Sequence, residues 1–488
     1  MAALQQELVR ANVEAFQTVA VYTIVQAAMA ASDAPSIIVE PRRLAAMASP
    51  HYSHRLADEL KATSQASSGR CWIFAALNVL RYDVAMANSL PADFEISQPF
   101  VYFYDKIERV NYFLEQMIEL KDEAVDSRLF QHVLKSPLGD GGQWDMLANV
   151  VLKYGLVPKS VYGETFSTKA SRRMNRTLTK RLRGWACEMK ACGGDETSLR
   201  AMKARFVEEA QRILLIHLGT PPSTFDWTFT PKKKPAKCDG EEAEEECAAK
   251  TSVEAGGEAE AAKHKAFVRH AGLTPLSFLE QFCGGAASMA QKVSLVHDPR
   301  NPFFAAYTVS QLGNVVGGQS ILYLNVPIAL LKTAVVRTIR GGRPVWFGCD
   351  VGKCYDRASG VMDTAMWRDE LVYGSVATTT KVDRLNFHQS LMTHAMVFTG
   401  FDEDPAATAA GDADAFPLRY RVENSWGEAR GDKGYNSMSA EWFDEYVFQI
   451  AVDASLAAEL DPRLGALAAA RGPVTALPPW DPLGSLAM

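Results

Sequence analysis

Cysteine is scarce in this chain, and the few cysteines do not form a metal-binding pattern. The 488 residues include 8 cysteines and no Cys-x-x-Cys pair, and the closest pairs, Cys187/Cys192 and Cys349/Cys354, are spaced five apart. Structural zinc sites and disulfide-rich folds use more closely or more densely spaced cysteines. The sequence therefore predicts no metal site, no disulfide framework and no other cofactor.

Long apolar runs are also missing. No stretch reaches the roughly 18 uninterrupted apolar residues typical of a membrane span. An apolar run at 19–31 (VAVYTIVQAAMAA) is interrupted by Thr23 and Gln26 and follows a segment that contains charged residues. This pattern favours an amphipathic helix docked on the protein over a signal peptide. We therefore expect a cytoplasmic protein with no membrane contact.

The chain has no excess of positive charge. Lys and Arg number 51 against 57 Asp and Glu, which gives a formal net charge of −6. Nucleic-acid binding therefore has no support from the net charge, and only a local basic patch could supply it. With 48% apolar and 22% charged residues, the composition is typical of a globular protein large enough for two or three domains.

Chemistry is concentrated between Gln65 and Leu80 (QASSGRCWIFAALNVL). The apolar run after Cys71 predicts a buried helix that begins near this cysteine and is capped by the Ser-Ser-Gly turn at 67–69. The amides and positive dipole end at the start of such a helix favour ionisation of a thiol in its first turn.

Gln65 precedes Cys71 by six positions (71 − 65), enough for its side chain to return toward the sulfur across a turn. We predict that its amide and the backbone N–H of Cys71 form an oxyanion hole. The alternative is an inert, buried Cys71, since free cysteines often behave as small hydrophobic residues. The choice depends on whether a base and an orienting amide are present elsewhere.

Two predicted strands in the last third of the chain supply those groups. Segments 393–403 (THAMVFTGFDE) and 418–428 (LRYRVENSWGE) alternate like paired antiparallel strands. His394 begins the first and Asn424 ends the second, and Trp426 could shield a hydrogen bond between them from water. Thiolate attack on a carbonyl needs an imidazole and an amide that orients it. Cys71, His394 and Asn424 therefore form a candidate Cys-His-Asn constellation.

A glycine-rich turn at 138–145 (LGDGGQWD) precedes an apolar helical pattern. One interpretation is a loop between helices that is capped by Asp140 or Asp145. The other is that Gly141 and Gly142 expose their backbone so that an extended substrate can hydrogen-bond to it. The residue pattern alone favours neither interpretation.

The middle of the chain changes composition twice. Residues 172–218 are charged and helical in pattern, which indicates an inserted helical subdomain. Residues 231–265 are low in complexity, contain Lys and acidic blocks and lack aromatic residues, which predicts a disordered surface insertion. A helix is predicted to begin again at Thr274-Pro275.

The last twelve residues, 477–488 (LPPWDPLGSLAM), contain three prolines that forbid a regular helix and one apolar anchor, Trp480. They predict an extended arm fixed at Trp480. The simpler alternative is a frayed tail.

Together these motifs resemble one family. Gln65, SSGRCWIF, DGGQWDM, WFGCDVGK, LMTHAMVFTG, RVENSWGE followed by KGY, and WDPLGSLA are similar to the bleomycin hydrolases, the cytosolic papain-like cysteine aminopeptidases also called aminopeptidase C. The resemblance implies an α+β, papain-like fold with a helical half, an antiparallel β half and a large helical insertion. It also implies Cys71 as nucleophile, His394 as general base and acid, Asn424 as the residue that orients His394, and Gln65 as oxyanion donor.

Domains and partners follow from the same resemblance. It implies a homohexamer with active sites facing an interior channel, peptide substrates with a free N-terminus, and nucleic-acid binding in some relatives. The implied order is a helical N-terminal arm (1–60), the helical half (61–165), an inserted helical and oligomerisation region (166–335) with the disordered 231–265 loop, the β half (336–476) and a C-terminal arm (477–488).

The resemblance gives the C-terminal arm a role in substrate choice. It places the arm in the active-site cleft, where its end blocks the far subsites. The terminal carboxylate, from Met488 or from Ala487 after trimming, would meet the free amine of the substrate. This converts a papain-like cleft into that of an aminopeptidase.

Three departures from the family and two rival functions complete the prediction. The 231–265 segment is longer and more charged than the family's usual link. His394 follows Cys71 by 323 residues (394 − 71), against roughly 130–150 in papain-like enzymes, which requires the insertion. Ser64 stands where relatives commonly carry Asn. A secreted papain-like endopeptidase would need a propeptide, a signal sequence and paired cysteines. A non-catalytic hexameric scaffold or nucleic-acid binder would not need the four catalytic residues together.

Overall fold

The computed structural model describes residues 1–232, 267–374, 378–405, 416–470 and 473–487. The predicted disordered insertion at 231–265 lies almost entirely outside the described residues, and so does Met488.

Helices predominate in the first half of the chain. The predicted helix start at Thr274-Pro275 is confirmed, because Thr274 Oγ1 accepts the N–H of Ser277. Ser97 caps another helix in the same way and accepts the N–H of Phe100. The helices, in chain order, are α1 (Gln6–Thr18), α2 (Ala20–Ala31), α3 (Ala34–Ile38), α4 (Pro41–Met47), α5 (Cys71–Ala87), α6 (Gln98–Glu119), α7 (Arg128–Lys135), α8 (Trp144–Tyr154), α9 (Phe166–Lys169), α10 (Arg172–Cys192), α11 (Glu196–Leu218), α12 (Pro275–Phe282), α13 (Gly285–Ala290), α14 (Ile328–Arg340), α15 (Glu370–Tyr373), α16 (Lys381–Asn386), α17 (Ala440–Tyr446), α18 (Ala454–Leu460) and α19 (Pro462–Ala470).

Most strands belong to one mixed sheet in the second half of the chain. The strands, in chain order, are β1 (His54–Arg55), β2 (Phe225–Phe229), β3 (Val268–Leu273), β4 (Lys292–Val296), β5 (Ala305–Val309), β6 (Tyr323–Asn325), β7 (Val345–Cys349), β8 (Tyr355–Asp356), β9 (Val361–Met362), β10 (His394–Asp402), β11 (Arg419–Glu423), β12 (Tyr435–Ser439), β13 (Val447–Asp453) and β14 (Val474–Leu477). The order of strands in the sheet is β14-β5-β6-β4-β13-β7-β10-β11-β12-β9-β8, and β1 also pairs with β10. Strands β2 and β3 form a separate antiparallel pair.

Helix α5 lies at the junction between the helical half and the sheet. Its residues are apolar on nearly all faces, and a helix of this kind is stable only when it is surrounded by protein. Trp72, Ile73 and Phe74 are completely buried, each contributing about 1.5–3 kcal/mol of apolar burial. The helix packs against β10 and β7, and Trp346 Nε1 on β7 donates to the Trp72 carbonyl at 3.3 Å. The start of α5 is thereby held against the sheet.

The predicted antiparallel pairing of the two C-terminal strands is confirmed. Strands β10 and β11 pair from Val397 opposite Glu423 to Asp402 opposite Arg419, with an irregularity between Phe398 and Gly400. On its other side, β10 pairs antiparallel with β7. His394, at the start of β10, and Asn424, just after β11, therefore lie at the same end of these two adjacent strands.

Part of the predicted helical insertion is instead strand. Residues 166–218 are helical as expected, but β4, β5 and β6 fall within 292–325 and join the central sheet. Strand β4 finds its partner in β13, more than 150 residues later in the chain. The prediction failed because strand formation here depends on a partner that is distant in sequence, which local patterns do not reveal.

The N-terminal helices are more exposed than the predicted docking implies. Neither α1 nor α2 has a buried residue. Within the described ranges no single helix is long and apolar enough to cross a membrane. Helices α1 and α2 together have the length and apolar composition of a membrane span, but they are bent by 93° relative to each other. The pattern at 19–31 predicted helix α2 correctly but not its exposure.

The C-terminal arm combines a strand with a short turn. Strand β14 pairs in parallel with β5, and a short 3-10 turn follows at Pro482–Gly484. Trp480 anchors the arm as predicted. Its ring lies under the Arg128 guanidinium, 3.8 Å from the ring centroid, and edge-on to His132.

Candidate active site

Cys71 is the first residue of α5 and is completely buried. The predicted capping by the 67–69 turn is wrong, because Arg70 takes the N-cap position without a capping side chain. Ser68 is occupied instead: its hydroxyl donates to the Gln65 carbonyl at 2.7 Å and accepts from Arg70 Nε at 2.9 Å. The amides of Cys71 and Trp72 remain directed at the Cys71 sulfur.

Gln65 is fixed by hydrogen bonds at both ends of its amide. Its Oε1 accepts from Ser425 Oγ at 2.6 Å, and its Nε2 donates to the Ser68 carbonyl at 2.6 Å. The backbone turns at Ala66, whose φ of 52° lies in the left-handed region. This turn lets the Gln65 side chain reach the Ser68 carbonyl, close to the start of α5. A primary amide carries two N–H groups, and only one is needed for Ser68. The second can serve a ligand.

Backbone hydrogen bonds join the loop before α5 to the loop after β11. Gln65 N–H donates to the Ser425 carbonyl at 2.8 Å, and Gly427 N–H donates to the Thr63 carbonyl at 2.9 Å. Between these two bonds, Ser64 and Trp426 form an isolated antiparallel bridge. Ser64 takes part through its backbone, so the departure from Asn at this position leaves the junction intact.

His394 and Asn424 form the predicted pair. His394 Nε2 lies 2.9 Å from Asn424 Oδ1, and both residues are almost fully buried. Trp426 packs beside the imidazole, with ring centroids 5.0 Å apart, which matches the predicted shielding. An acceptor at Nε2 fixes the proton on that nitrogen and leaves Nδ1 for acid-base chemistry.

The Cys71 sulfur lies next to the start of β10. The amide of Ala395, the residue after His394, lies close enough to the sulfur to lower the pKa of the thiol. Burial raises the pKa of the Cys71 thiol to about 12, and the Ala395, Trp72 and Cys71 amides oppose that rise. A thiolate here therefore needs a nearby cation as well as backbone donors.

Gly142 and the C-terminal arm form the second part of the site. The Gly142 N–H donates to the Ala487 carbonyl at 3.0 Å, and the Ala487 N–H donates to the Gly142 carbonyl at 3.1 Å. A Cβ on Gly142 would lie 2.4 Å from the Trp72 ring, so only glycine fits between that indole and the arm. Arg109 Nη2 holds the Gly141 carbonyl at 2.6 Å. The backbone of Gly142 thus forms an antiparallel β-bridge, and its partner is the C-terminal arm.

Asp140 was predicted only as a helix cap, and the structure gives it a different position. Gln143 caps α8 instead, accepting the Asp145 N–H at 3.0 Å. The Asp140 carboxylate binds Lys106 Nζ at 2.7 Å, and its carbonyl accepts Trp72 Nε1 at 2.6 Å. Burial alone would raise the pKa of Asp140, but Lys106 and hydrogen bonds from nearby hydroxyls hold that pKa well below its usual range.

Sequence reasoning missed the Asp140–Lys106 pair because the two residues lie on different elements. The Asp140 carboxylate also accepts the Gly69 N–H at 3.3 Å, close to the start of α5. This buried ion pair therefore connects the glycine-rich turn to the residues just before Cys71. The only signal in the sequence was an acidic residue inside a glycine-rich turn.

Across the residues with described coordinates, no group of three or more His, Cys, Asp or Glu is arranged to hold a metal ion.

Comparison with known proteins identifies the family. The model of the peptidase C1-like family matches residues 3–250 and 260–484. Bleomycin hydrolase from Gallus gallus is 39% identical over 433 residues, covering 87% of this chain and 86% of that protein. Aminopeptidase C from Listeria monocytogenes is 37% identical over 442 residues, covering 90% and 89%.

A solved structure agrees over the whole chain. PepW from Lactobacillus rhamnosis superposes with a TM-score of 0.87 at 32% identity and covers 100% of both chains. Since a family model, curated relatives and a solved fold agree over nearly the same residues, the chain belongs to the peptidase C1-like family of cysteine peptidases and has their α+β fold.

Proposed function

We propose that this cysteine aminopeptidase cleaves peptides with Cys71 as nucleophile, His394 as general base and acid, Asn424 as orienting residue and Gln65 as oxyanion donor. The observation that carries the aminopeptidase assignment is the two-bond pairing of Gly142 with Ala487 beside this site. It places the end of the chain on the backbone edge that an extended substrate would otherwise use.

The nucleophile depends on proton transfer to His394. Because burial raises the pKa of Cys71 to about 12, an isolated thiol at this position stays protonated at neutral pH. Transfer of its proton to His394 Nδ1 creates a thiolate-imidazolium pair. Asn424 Oδ1 accepts a hydrogen bond from Nε2–H of the imidazolium, and the Ala395 amide donates a hydrogen bond to the thiolate.

The bond changes follow from these positions. The Cys71 thiolate adds to the scissile carbonyl, and the oxyanion is bound by the Cys71 N–H and the second N–H of Gln65 Nε2. His394 then protonates the leaving amine as the C–N bond breaks and a thioester remains. A water molecule, deprotonated by His394, hydrolyses the thioester and restores the thiol.

The arm limits what can occupy the cleft. Ala487 is completely buried and takes both hydrogen-bonding groups of Gly142, which leaves no backbone partner there for a longer peptide. The chain's terminal carboxylate, from Met488 or from Ala487 after trimming, would bind the ammonium of the first substrate residue. The site thus accepts one substrate residue with a free amine before the scissile bond. Substrates with further residues on the N-terminal side of that residue are excluded.

A direct assay tests this function. We expect the purified full-length protein to hydrolyse an aminoacyl fluorogenic amide with a free α-amine and to leave its N-acetylated counterpart almost untouched. Equal rates on both substrates would indicate an endopeptidase. No hydrolysis of either would indicate a non-catalytic scaffold.

His394→Gln should change the pH dependence of Cys71 alkylation. In the parent protein, the ion pair should keep iodoacetamide modification rapid and nearly constant across neutral pH. Without the imidazole, burial raises the pKa of the thiol to about 12, so the alkylation rate should rise about tenfold per pH unit from pH 7 to 10. Mass spectrometry of the Cys71 peptide measures this rate, with the exposed Cys187 as internal control. A parent-like profile in the variant would reject the ion pair.

We further propose that the protein is a homohexamer located in the cytoplasm. Helices α1 and α2 expose large apolar side chains, including Leu8, Val13, Phe16 and Ile24, which contact between subunits could cover. All six cysteines in the described ranges are free thiols, which fits a reducing compartment.

A further inference from the structure

The C-terminal arm is held by an ion-pair network before it reaches the active site. Arg300, in the loop between β4 and β5, binds two carboxylates at once. Its Nη2 lies 2.8 Å from Asp481 Oδ1 on the arm and 2.6 Å from Asp298 Oδ2. Its Nε lies 2.9 Å from Asp298 Oδ1. The three side chains are only 3–14% exposed, so solvent screens this network little.

The Asp298 side of this network is rigid. The Asp298 N–H donates to Asn325 Oδ1 at 2.9 Å, and Asn325 Nδ2 donates back to the Asp298 carbonyl at 2.9 Å. Asn301 Nδ2 also donates to Asp298 Oδ2 at 2.9 Å. Asn325 ends β6, so the loop that presents Arg300 is tied directly to the central sheet. The guanidinium therefore has a defined position before the arm binds to it.

The Asp481 side determines the path of the arm. Asp481 Oδ1 accepts the N–H of Leu483 at 2.8 Å and so starts the 3-10 turn at Pro482–Gly484. Ala487, which pairs with Gly142, follows only three residues after this turn. A shift at Asp481 would therefore be carried to the chain end, where displacements of about 1 Å alter function.

The space beneath the turn is small. Pro482 and Leu483 cover a cavity of about 20 Å³, enough for about one water molecule, that is also lined by Arg300, Tyr323 and Met392. Leu483 also packs, partly buried, against the main apolar core, so this contact and the polar attachments fix the turn together. Trp480 adds a second attachment through Arg128, but on the side of the arm that precedes the turn.

We propose that Arg300, held by Asp298, is a positioning residue for specificity: by fixing Asp481 it places the end of the arm against Gly142 and thereby excludes substrates that lack a free amine. This inference rests on the proposed function of the arm. A guanidinium suits this position because its planar fork can bind two carboxylates in fixed directions, which an ammonium cannot do.

Two substitutions test the network from its two sides. Arg300→Ala removes the fork, and Asp481→Asn removes the charge while its amide oxygen can still accept the Leu483 N–H. For both variants we expect the kcat/KM ratio of N-acetylated to free-amine substrate to rise by roughly tenfold or more, the usual effect of losing a charge-assisted hydrogen bond. Arg300→Lys should give an intermediate ratio. Arg269→Ala removes an exposed ion pair to Asp226 far from the arm and should match the parent.

Hydrogen exchange separates positioning from a loss of stability. In Arg300→Ala, the amides of residues 483–487 and of Gly142 should exchange faster, while those of α5 stay protected. A protein lacking Gly484–Met488 serves as reference for complete loss of the arm. If this deletion changes the substrate ratio but Arg300→Ala and Asp481→Asn do not, the inference is wrong and the function of the arm stands. If the deletion itself has no effect, the proposed function of the arm fails.

Discussion

Replacing Cys71 by alanine should abolish peptide hydrolysis. The thiolate forms the covalent bond to the substrate, and no other group in the proposed mechanism can replace it. Loss of a covalent nucleophile typically costs on the order of 10⁵ to 10⁶ in turnover, so the residual rate should be near the detection limit. Steady-state hydrolysis of a free-amine fluorogenic substrate measures the effect.

The fold should survive this substitution. Cys71 is buried, but removing one sulfur leaves a small cavity and should cost only roughly 1 kcal/mol of unfolding free energy. Cys283→Ala is a matched control, because Cys283 is also a buried free thiol and lies outside the site. Its activity should equal that of the parent. Parent-like activity in Cys71→Ala would remove the nucleophile assignment, and with it the mechanism.

Deleting Gly484–Met488 should convert the enzyme toward an endopeptidase. Without Ala487, the N–H and carbonyl of Gly142 become available to an extended peptide, and no carboxylate remains to bind the substrate ammonium. We expect the free-amine kcat/KM to fall by roughly ten- to a hundredfold, the value of a charge-assisted interaction. Hydrolysis of N-acetylated substrates should appear. Parallel kinetics on the two substrate types measure this change of specificity.

Deletion of Met488 alone is the matched control for the arm. It leaves the pairing of Ala487 with Gly142 in place and exposes the Ala487 carboxylate, so preference for a free amine should be kept or strengthened. If removing residues 484–488 leaves the ratio of the two activities unchanged, the arm has no part in substrate choice. If loss of Met488 alone admits blocked substrates, the last residue itself closes the cleft.

Local sequence determined the parts of the site that lie close together in the chain. The apolar run after Cys71 could form only a buried helix, and Gln65 lies near enough to return across one turn. The alternating segments around His394 and Asn424 are consecutive strands in the sequence, so their antiparallel pairing brought these residues together. In each case the contact follows from periodicity and from the order of neighbouring elements, which the sequence shows directly.

Tertiary structure decided the features whose partners are distant in sequence. Strands β4 to β6 exist because β13 supplies an edge for β4, and the pairing of Asp140 with Lys106 joins two separate elements. The position of Arg300 against the arm depends on a loop held by Asn325. Helices α1 and α2 form where the pattern predicts a helix, yet neither has a buried residue. Sequence periodicity tells which face of an element is apolar, but the partner of that face, and the place of a buried charge, are set only when the whole chain has packed.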